Sequence, residues 1–251
     1  MPNRNMDEYL HKAAKYDTLS NYFKYSNPNL HIQYYYKHLE NIAKALEQDR
    51  DHIMHSSNEP GNLRLLHAAP NAGNVDIYVN ETKIFSNYPY QRLSEYLSLP
   101  AGKYQVDVYP AGNQTNTVLS QRIMVEPRQS VTLAVTVKDK KFKLVSIPDT
   151  IQVPMGEAAL RIVHLSPDAP EVDIGIKDGA AIFKELAYRK NTNYLAITPT
   201  TADLEVRAAG TNQVVLPLNK LEFKPGTPYT IYIIGLASGG TPNLQAVITS
   251  P

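Results

Sequence analysis

Leu63-Arg64-Leu65-Leu66-His67-Ala68-Ala69-Pro70-Asn71-Ala72, followed by Val75-Asp76-Ile77, returns later in the chain. Its second copy is Leu160-Arg161-Ile162-Val163-His164-Leu165-Ser166-Pro167-Asp168-Ala169, followed by Val172-Asp173-Ile174. The offset is 97 positions from Leu63 to Leu160. It lengthens by one further on, where Tyr90, Tyr96-Leu97, Ala111-Gly112 and Pro127 meet Tyr188, Tyr194-Leu195, Ala209-Gly210 and Pro225. One residue inserted near Asp178-Gly179 accounts for the slip. A period this long is too great for a solenoid and signals a duplicated domain.

Each copy reads as β-structure. Residues 63–68, 75–80, 104–109, 118–125, 131–138 and 142–147 are short runs rich in Val, Ile, Leu, Tyr and Thr, several alternating with period two. Turn residues separate them: Pro100-Ala101-Gly102, Pro110-Ala111-Gly112, Glu126-Pro127 and Asp139-Lys140. No helical period lies between strands, which argues against crossover helices and a parallel sheet. The expected fold is mostly β: two tandem antiparallel immunoglobulin-like β-sandwich domains, preceded by an N-terminal α-helical hairpin.

The run at 160–174, Leu-Arg-Ile-Val-His-Leu-Ser-Pro-Asp-Ala-Pro-Glu-Val-Asp-Ile, resembles the opening signature of a bacterial family, domain of unknown function 4397. The run at 96–106, Tyr-Leu-Ser-Leu-Pro-Ala-Gly-Lys-Tyr-Gln-Val, is similar to the middle of that family. The resemblance covers about 63–148 and 160–250. The first copy departs from the signature, with Asn71 for the Asp and Ala72-Gly73-Asn74 for the Ala-Pro. The resemblance implies tandem sandwich domains of the cell surface and names no activity.

Ahead of the repeats, residues 6–25 and 29–50 carry the apolar spacing of two helices. On the second, Ile32, Tyr35, Tyr36, Leu39, Ile42, Ala43 and Leu46 form one stripe. On the first, Met6, Tyr9, Leu10, Ala13, Tyr16, Leu19, Tyr22 and Phe23 form the expected matching face. A hairpin this small cannot bury enough surface to stand alone. Its stripe is expected to pack on the β-units, on a second copy, or on a protein partner. Ile32, Tyr35, Tyr36, Leu39, Ile42 and Leu46 are therefore the candidate partner-binding residues. The expected organisation is a hairpin at 1–52, a linker at 53–61, one sandwich at 62–148, a linker at 149–158 and the second sandwich at 159–251.

The candidate ligand-binding residues are His67, Asp76, His164, Asp168 and Asp173. Two readings compete for the histidines. One is a ligand or metal site with Asp76 or Asp173. The other is a strand-end ring that hydrogen-bonds backbone in the following Pro loop. The strand parity shared with Leu63 and Leu65 favours the second, and two ligands per unit fall short of the three or four a metal needs. Arg64 with Asp76, and Arg161 with Asp173, are expected to form cross-strand ion pairs. His31 and His38 lie ~10.5 Å apart along a helix, too far for one metal ion. His52 and His55 meet only if their segment is helical. Tyr34 is assigned to the flank of its helix. The tyrosines 78, 88, 90, 96, 104 and 109 are open to a glycan-facing reading.

Composition removes several classes. The chain of 251 residues has 43% hydrophobic and 20% charged residues and a net charge of +1. These values leave no electrostatic case for nucleic acid. With no cysteine there is no thiolate nucleophile, disulfide or Cys-based zinc site. No run approaches a membrane span, and residues 1–16 lack the apolar core of a signal peptide. Synthesis in the cytoplasm is expected, with a spore or cell-surface layer as a destination. No G-x-S-x-G elbow, P-loop, H-E-x-x-H or dinucleotide fingerprint is present, and no cofactor is implied. The expectation is a non-enzymatic structural and interaction protein. A carbohydrate-binding module protein is the alternative.

Overall fold

The computed structural model describes residues 4–57, 59–149 and 152–250; of residues 4, 5 and 48–57 it describes the backbone alone. The chain divides into two compact units, Met1–Glu59 and Pro60–Pro251.

The first unit is the helical hairpin, α1 Arg4–Phe23 and α2 Pro28–Ser57. Asn27 caps α2, its Oδ1 accepting from the Leu30 N–H at 3.2 Å, and Pro28 takes the first helical position. α2 runs on through Ser57, so the helix enters the stretch expected as linker. The side chains of His52 and His55 lie outside the described residues.

The face that joins the helices differs from the expected one. Ala13, Ser20, Asn41 and Ala45 are buried between them. Tyr34 turns inward and stacks with Tyr16 at 6.2 Å and Phe23 at 5.8 Å between ring centres. His31 Nδ1 meets the Ser20 carbonyl at 3.0 Å, and His38 Nδ1 meets the Ala13 carbonyl at 3.0 Å. The stripe expected to pack is left in solvent: Ile32 is 52% exposed, Tyr36 67% and Leu46 64%. The reason is steric. Small side chains let two backbones approach, and the buried polar groups then need the partners that His31, His38 and Asn41 find.

The second unit holds two sandwiches. The first has β1 Gly61–His67, β2 Val75–Val79, β3 Thr82–Tyr88, β4 Leu97–Leu99, β5 Gly102–Pro110, β6 Leu119–Val125, β7 Ser130–Lys138 and β8 Lys141–Asp149. The second has β9 Ala158–His164, β10 Val172–Ile176, β11 Ala181–Leu186, β12 Leu195–Ile197, β13 Thr200–Ala208, β14 Val214–Phe223, β15 Pro228–Ile234 and β16 Gln245–Thr249. The sheets of the first are β4-β1-β7-β8 and β3-β2-β5-β6; those of the second repeat the same order. Each sandwich contains one parallel pair, β1 with β7 and β9 with β15, in sheets otherwise antiparallel.

Three cores follow. Leu63, Leu65, Ile77, Val106, Val108 and Leu133 fill the first sandwich. Leu160, Ile162, Ile174, Val206, Ile231 and Ile233 fill the second. A third joins them: Leu66, Ala68, Ala134 and Ile147 of the first repeat pack with Val163, Leu165, Tyr232 and Ile234 of the second. This third core explains the motif itself. β1 and β9 are covered on both faces, so residues 63–67 and 158–164 are buried at every position rather than at alternate ones. Each fully buried large aliphatic contributes about 1.5–3 kcal/mol. Several of them at one boundary amount to a sizeable fraction of a domain's stability. Among the described residues no helix is long and apolar enough to cross a membrane.

Candidate functional site

The two motif histidines end β1 and β9 and are wholly buried. His67 Nε2 lies 2.9 Å from the Gly73 carbonyl, and its Nδ1 accepts from the Ala69 N–H at 3.4 Å. His164 repeats the pattern with the Pro170 carbonyl at 3.0 Å and the Ser166 N–H at 3.3 Å. A neutral ring protonated on Nε2 satisfies both contacts. Burial pushes both histidines below their ordinary value, against the opposing pull of the carbonyl bonds. Both nitrogens are used, so neither ring is a metal ligand. Among the described residues no three His, Asp or Glu side chains gather as a metal site.

The motif aspartates are loop clamps. Asp76 accepts from the Asn87 N–H at 2.8 Å, from Lys83 Nζ at 2.8 Å and from the Gly112 N–H at 3.5 Å. Asp173 accepts from the Glu185 N–H at 2.7 Å and the Gly210 N–H at 3.0 Å. Asn87 and Glu185 have positive φ, 50° and 53°, beside irregular pairing of β3 and β11. Each Asp thus ties an irregular strand to the turn after β5 or β13. The expected Arg64–Asp76 and Arg161–Asp173 pairs do not form. β1 and β2 lie in opposite sheets, and β9 and β10 likewise, so these residues are not cross-strand neighbours.

Asp168 accepts from the Ala237 N–H at 2.8 Å, the Ser238 N–H at 3.0 Å and the Ser238 hydroxyl at 2.5 Å. Burial opposes its ionisation, but the Ser238 and Ala237 donors prevail and hold the carboxyl below the usual range. His67, Asp76, His164, Asp168 and Asp173 therefore build loops and do not converge on one ligand.

The arginines of the motif meet elsewhere, at the boundary between the sandwiches. Asp149 Oδ1 accepts from Arg161 Nη2 at 2.7 Å. Its Oδ2 accepts from the Tyr96 hydroxyl at 2.6 Å and the Thr132 hydroxyl at 2.7 Å, with Arg64 Nε at 3.5 Å. Arg64 Nε donates to Thr132 at 2.7 Å, and Arg161 Nη2 to Thr230 at 3.0 Å. The guanidiniums lie over Tyr96 and Tyr194 at 4.6 and 4.5 Å. Burial, then the bond to Asp149, raises the Tyr96 hydroxyl. Sequence reasoning missed Asp149 because it stands outside the repeated motif. The matched Tyr96 and Tyr194 were the available signal.

At one end of this boundary the two Pro loops face each other across a cleft of about 450 Å³. Pro70, Asn71 and Ala72 come from the first repeat, Pro167, Asp168 and Leu236 from the second. Val137, Lys138, Asp139, Lys140 and Phe142, from β7, β8 and the turn between them, complete the lining.

The family search matches residues 61–175 to Domain of unknown function (DUF4397), a span that opens with the Leu-Arg-x-x-His strand. Residues 61–175 carry a DUF4397 domain. The match takes in the first sandwich and crosses the boundary into β9 and β10, the repeated motif included. Among curated proteins nothing matches the chain. Solved structures give faint likenesses. The C-terminal domain of AlgF from P. aeruginosa is 18% identical over 38% of this chain and 99% of its own, with a TM-score of 0.31. The Bacillus anthracis TIE protein is 14% identical over 71% of this chain and 34% of its own, with a TM-score of 0.25. A protein described as a cell-adhesion candidate of Bacteroides uniformis is 11% identical over 76% and 98%, with a TM-score of 0.23. All three scores are low.

The glycan-facing tyrosines separate in the structure. Tyr88 is buried, its hydroxyl donating to the Leu65 carbonyl at 3.1 Å. Tyr90 packs in the third core and Tyr96 in the arginine cluster. Tyr104 donates to the Pro100 carbonyl at 2.8 Å. Tyr78 and Tyr109 remain together on the outer sheet of the DUF4397 domain, edge to face at 5.3 Å, beside a hollow of about 200 Å³. The outer sheet of the second repeat carries instead the buried pair Arg207–Glu205 at 2.8 Å.

On the hairpin, Ile32, Tyr35, Tyr36, Leu39 and Leu46 lie exposed on one side of α2, with Ile42 half-buried among them. They follow a heptad spacing, which is the pattern of a helix seam rather than of scattered surface residues.

Proposed function

We propose that this chain is a non-enzymatic structural protein, a rigid pair of β-sandwiches fused to a helical hairpin through which copies associate. The supporting observation is the mismatch within the hairpin. Its interior holds Ala13, Ser20, Asn41 and Ala45, while Ile32, Tyr36, Leu39 and Leu46 face solvent. Exposed apolar surface of this regularity marks an association site. The exposed charges beside the seam are of both signs, and Glu40 and Lys44 already pair with each other at 2.7 Å. A like helix is the cover that such a seam suits. Assembly of this kind fits a cell-surface or spore layer, in which the paired sandwiches serve as spacers.

The test is absolute mass by light scattering on the full chain, on residues 60–251, and on Leu39→Glu with Leu46→Glu. The full chain should be oligomeric, and the other two monomeric. A monomeric full chain would overturn self-association. A glycan-binding reading is favoured by Tyr78 and Tyr109, which present ring edges and hydroxyls next to Asp107 and Gln114. A glycan array with no signal removes it.

A further inference from the structure

We infer that the hollow on the outer sheet of the first repeat is a binding site for a guanidinium group, carried by a small molecule or by an arginine of a partner. Its lining is Tyr78, Glu81, Asp107, Tyr109 and Gln114, two carboxylates and no cation. At about 200 Å³ it has room for one functional group rather than for a drug-sized body. The second repeat has a corresponding hollow, lined by Asp178, Gly179, Glu205, Arg207, Asn212 and Val214. The offsets of the duplication match Glu81 to Asp178, Asp107 to Glu205 and Gln114 to Asn212. The ladders agree: Tyr78 pairs with Asp107 as Gly175 pairs with Glu205, and Asp76 with Tyr109 as Asp173 with Arg207. An acid at the turn, an acid on the strand and an amide in the loop are thus common to both.

What differs is the cation. In the second repeat Arg207 supplies it from within. Its Nε and Nη2 donate to Glu205 Oε2 at 3.1 and 2.8 Å, its Nη1 to the Gly179 carbonyl at 2.8 Å and its Nη2 to the Ile176 carbonyl at 3.1 Å. In the first repeat Tyr109 stands at the place of Arg207 and Tyr78 at that of Gly175, so rings replace the guanidinium while the acids stay. Neighbouring cations do not fill the gap. Lys83 Nζ is bound to Asp76 at 2.8 Å, and Arg122 is registered against Gln105 rather than Asp107. Among the described residues neither Glu81 nor Asp107 forms an ion pair. Asp107 Oδ1 accepts from the Ser120 hydroxyl at 2.5 Å and the Gln105 amide at 3.4 Å, and its Oδ2 accepts from none of the described residues. The rings suit the same ligand. Lys83 Nζ already lies 5.3 Å from the Tyr78 ring centre, so this ring attracts a cation. A guanidinium, being planar, both stacks on aromatic faces and pairs with carboxylates through its fork of donors, which an ammonium cannot do. A glycan reading of the same hollow uses the rings and leaves the two carboxylates without a role.

The experiment is isothermal titration of the full chain with butylguanidinium, with the blocked peptide acetyl-Gly-Arg-Gly amide, and with the same peptide carrying citrulline or lysine in place of arginine. Saturable binding of a guanidinium probe is expected, the stronger of the two naming the source. The uncharged citrulline peptide should bind about tenfold more weakly, the worth of a charge-assisted contact, and the lysine peptide more weakly than the arginine one. The double variant Glu81→Gln, Asp107→Asn should weaken the guanidinium by at least about tenfold. Tyr109→Arg should abolish binding, because it supplies the cation from within as the second repeat does. The Gln and Asn pair leaves both rings in place and should keep the parent melting temperature, so it reads the site even where Tyr109→Arg disturbs the fold. Four results would overturn the site: no saturable binding of either guanidinium probe, equal binding of the citrulline peptide, a preference for lysine, or indifference to both variants. None of these residues lies on the hairpin, so failure here is separable from failure of the self-association reading.

Discussion

Arg161 and Asp149 are joined at 2.7 Å across the boundary between the two sandwiches, with side chains 2% and 0% exposed. Arg64 approaches the same carboxylate at 3.5 Å from the other side. A buried ion pair is weak grounds for stability, but a broken one leaves stranded charge. Asp149→Ala should cost about 3–5 kcal/mol, because two buried guanidiniums lose their counter-ion. Replacing all three charges at once, Arg64→Met, Asp149→Leu and Arg161→Met, should cost much less than Asp149→Ala alone. Urea unfolding of the parent and the two variants checks the order.

Acid sensitivity should begin near neutrality. His67 and His164 lie below the ordinary value of 6.5 in the folded chain because burial disfavours the charged ring. Between the folded and unfolded values the unfolded chain binds more protons. Stability therefore falls as pH drops below 6.5, and these two groups add no further loss once pH is beneath their folded values. His67→Gln with His164→Gln should flatten the dependence between pH 7 and pH 5. If unfolding free energies of parent and variant run parallel over that range, the histidines do not govern it.

The packing face of the hairpin can be told from its outer face. Ala45→Leu inserts bulk where the backbones meet and should cost about 1–3 kcal/mol of hairpin stability, read as lost helicity and earlier melting. Tyr36→Ser with Leu46→Ser should leave helicity unchanged while lowering the mass of the assembly. Equal helicity losses in both would mean the faces are assigned wrongly.

Asp173→Ala removes the acceptor for the Glu185 and Gly210 N–H groups. Leaving such donors unpaired costs about 1–3 kcal/mol. Faster amide exchange confined to residues 185 and 210 and their neighbours is the expected signature. A uniform change across both repeats would contradict a local clamp.

The duplication was legible because Leu63-Arg64-Leu65-Leu66-His67 and its copy at Leu160 carry constraints from two cores at once. Strands β1, β2, β5, β6, β7 and β8 each show an apolar run between turn residues, and the structure places them where that pattern puts them. β3, β4, β11 and β12 were not legible. β3 and β11 are exposed or half-buried along nearly their whole length, and β4 and β12 are only three residues long, so none of them imposes an apolar pattern. The Arg64–Asp76 pairing failed because strand neighbours in sequence were taken for neighbours in a sheet, and the chain crosses between sheets after β1. The hairpin misled for a different reason. Apolar periodicity finds the face that seeks cover, and here the intramolecular contact uses Ala, Ser, Asn and His. The histidine reading, in contrast, followed from parity: a ring on the side of Leu63 and Leu65 has only backbone to meet.

Ala134 and Tyr232 hold equivalent places, each directly after its strand's pairing with Leu65 or Ile162, and both enter the third core. One is small and the other large, and the Tyr232 hydroxyl reaches across to Thr132 at 3.2 Å. Two first repeats set face to face would leave a void, and two second repeats would collide ring against ring. The gene duplication has thus produced a lock and its key from one ancestor. When many such chains crowd together, this mismatch keeps each sandwich with its own sibling, and leaves the growth of any assembly to other surfaces.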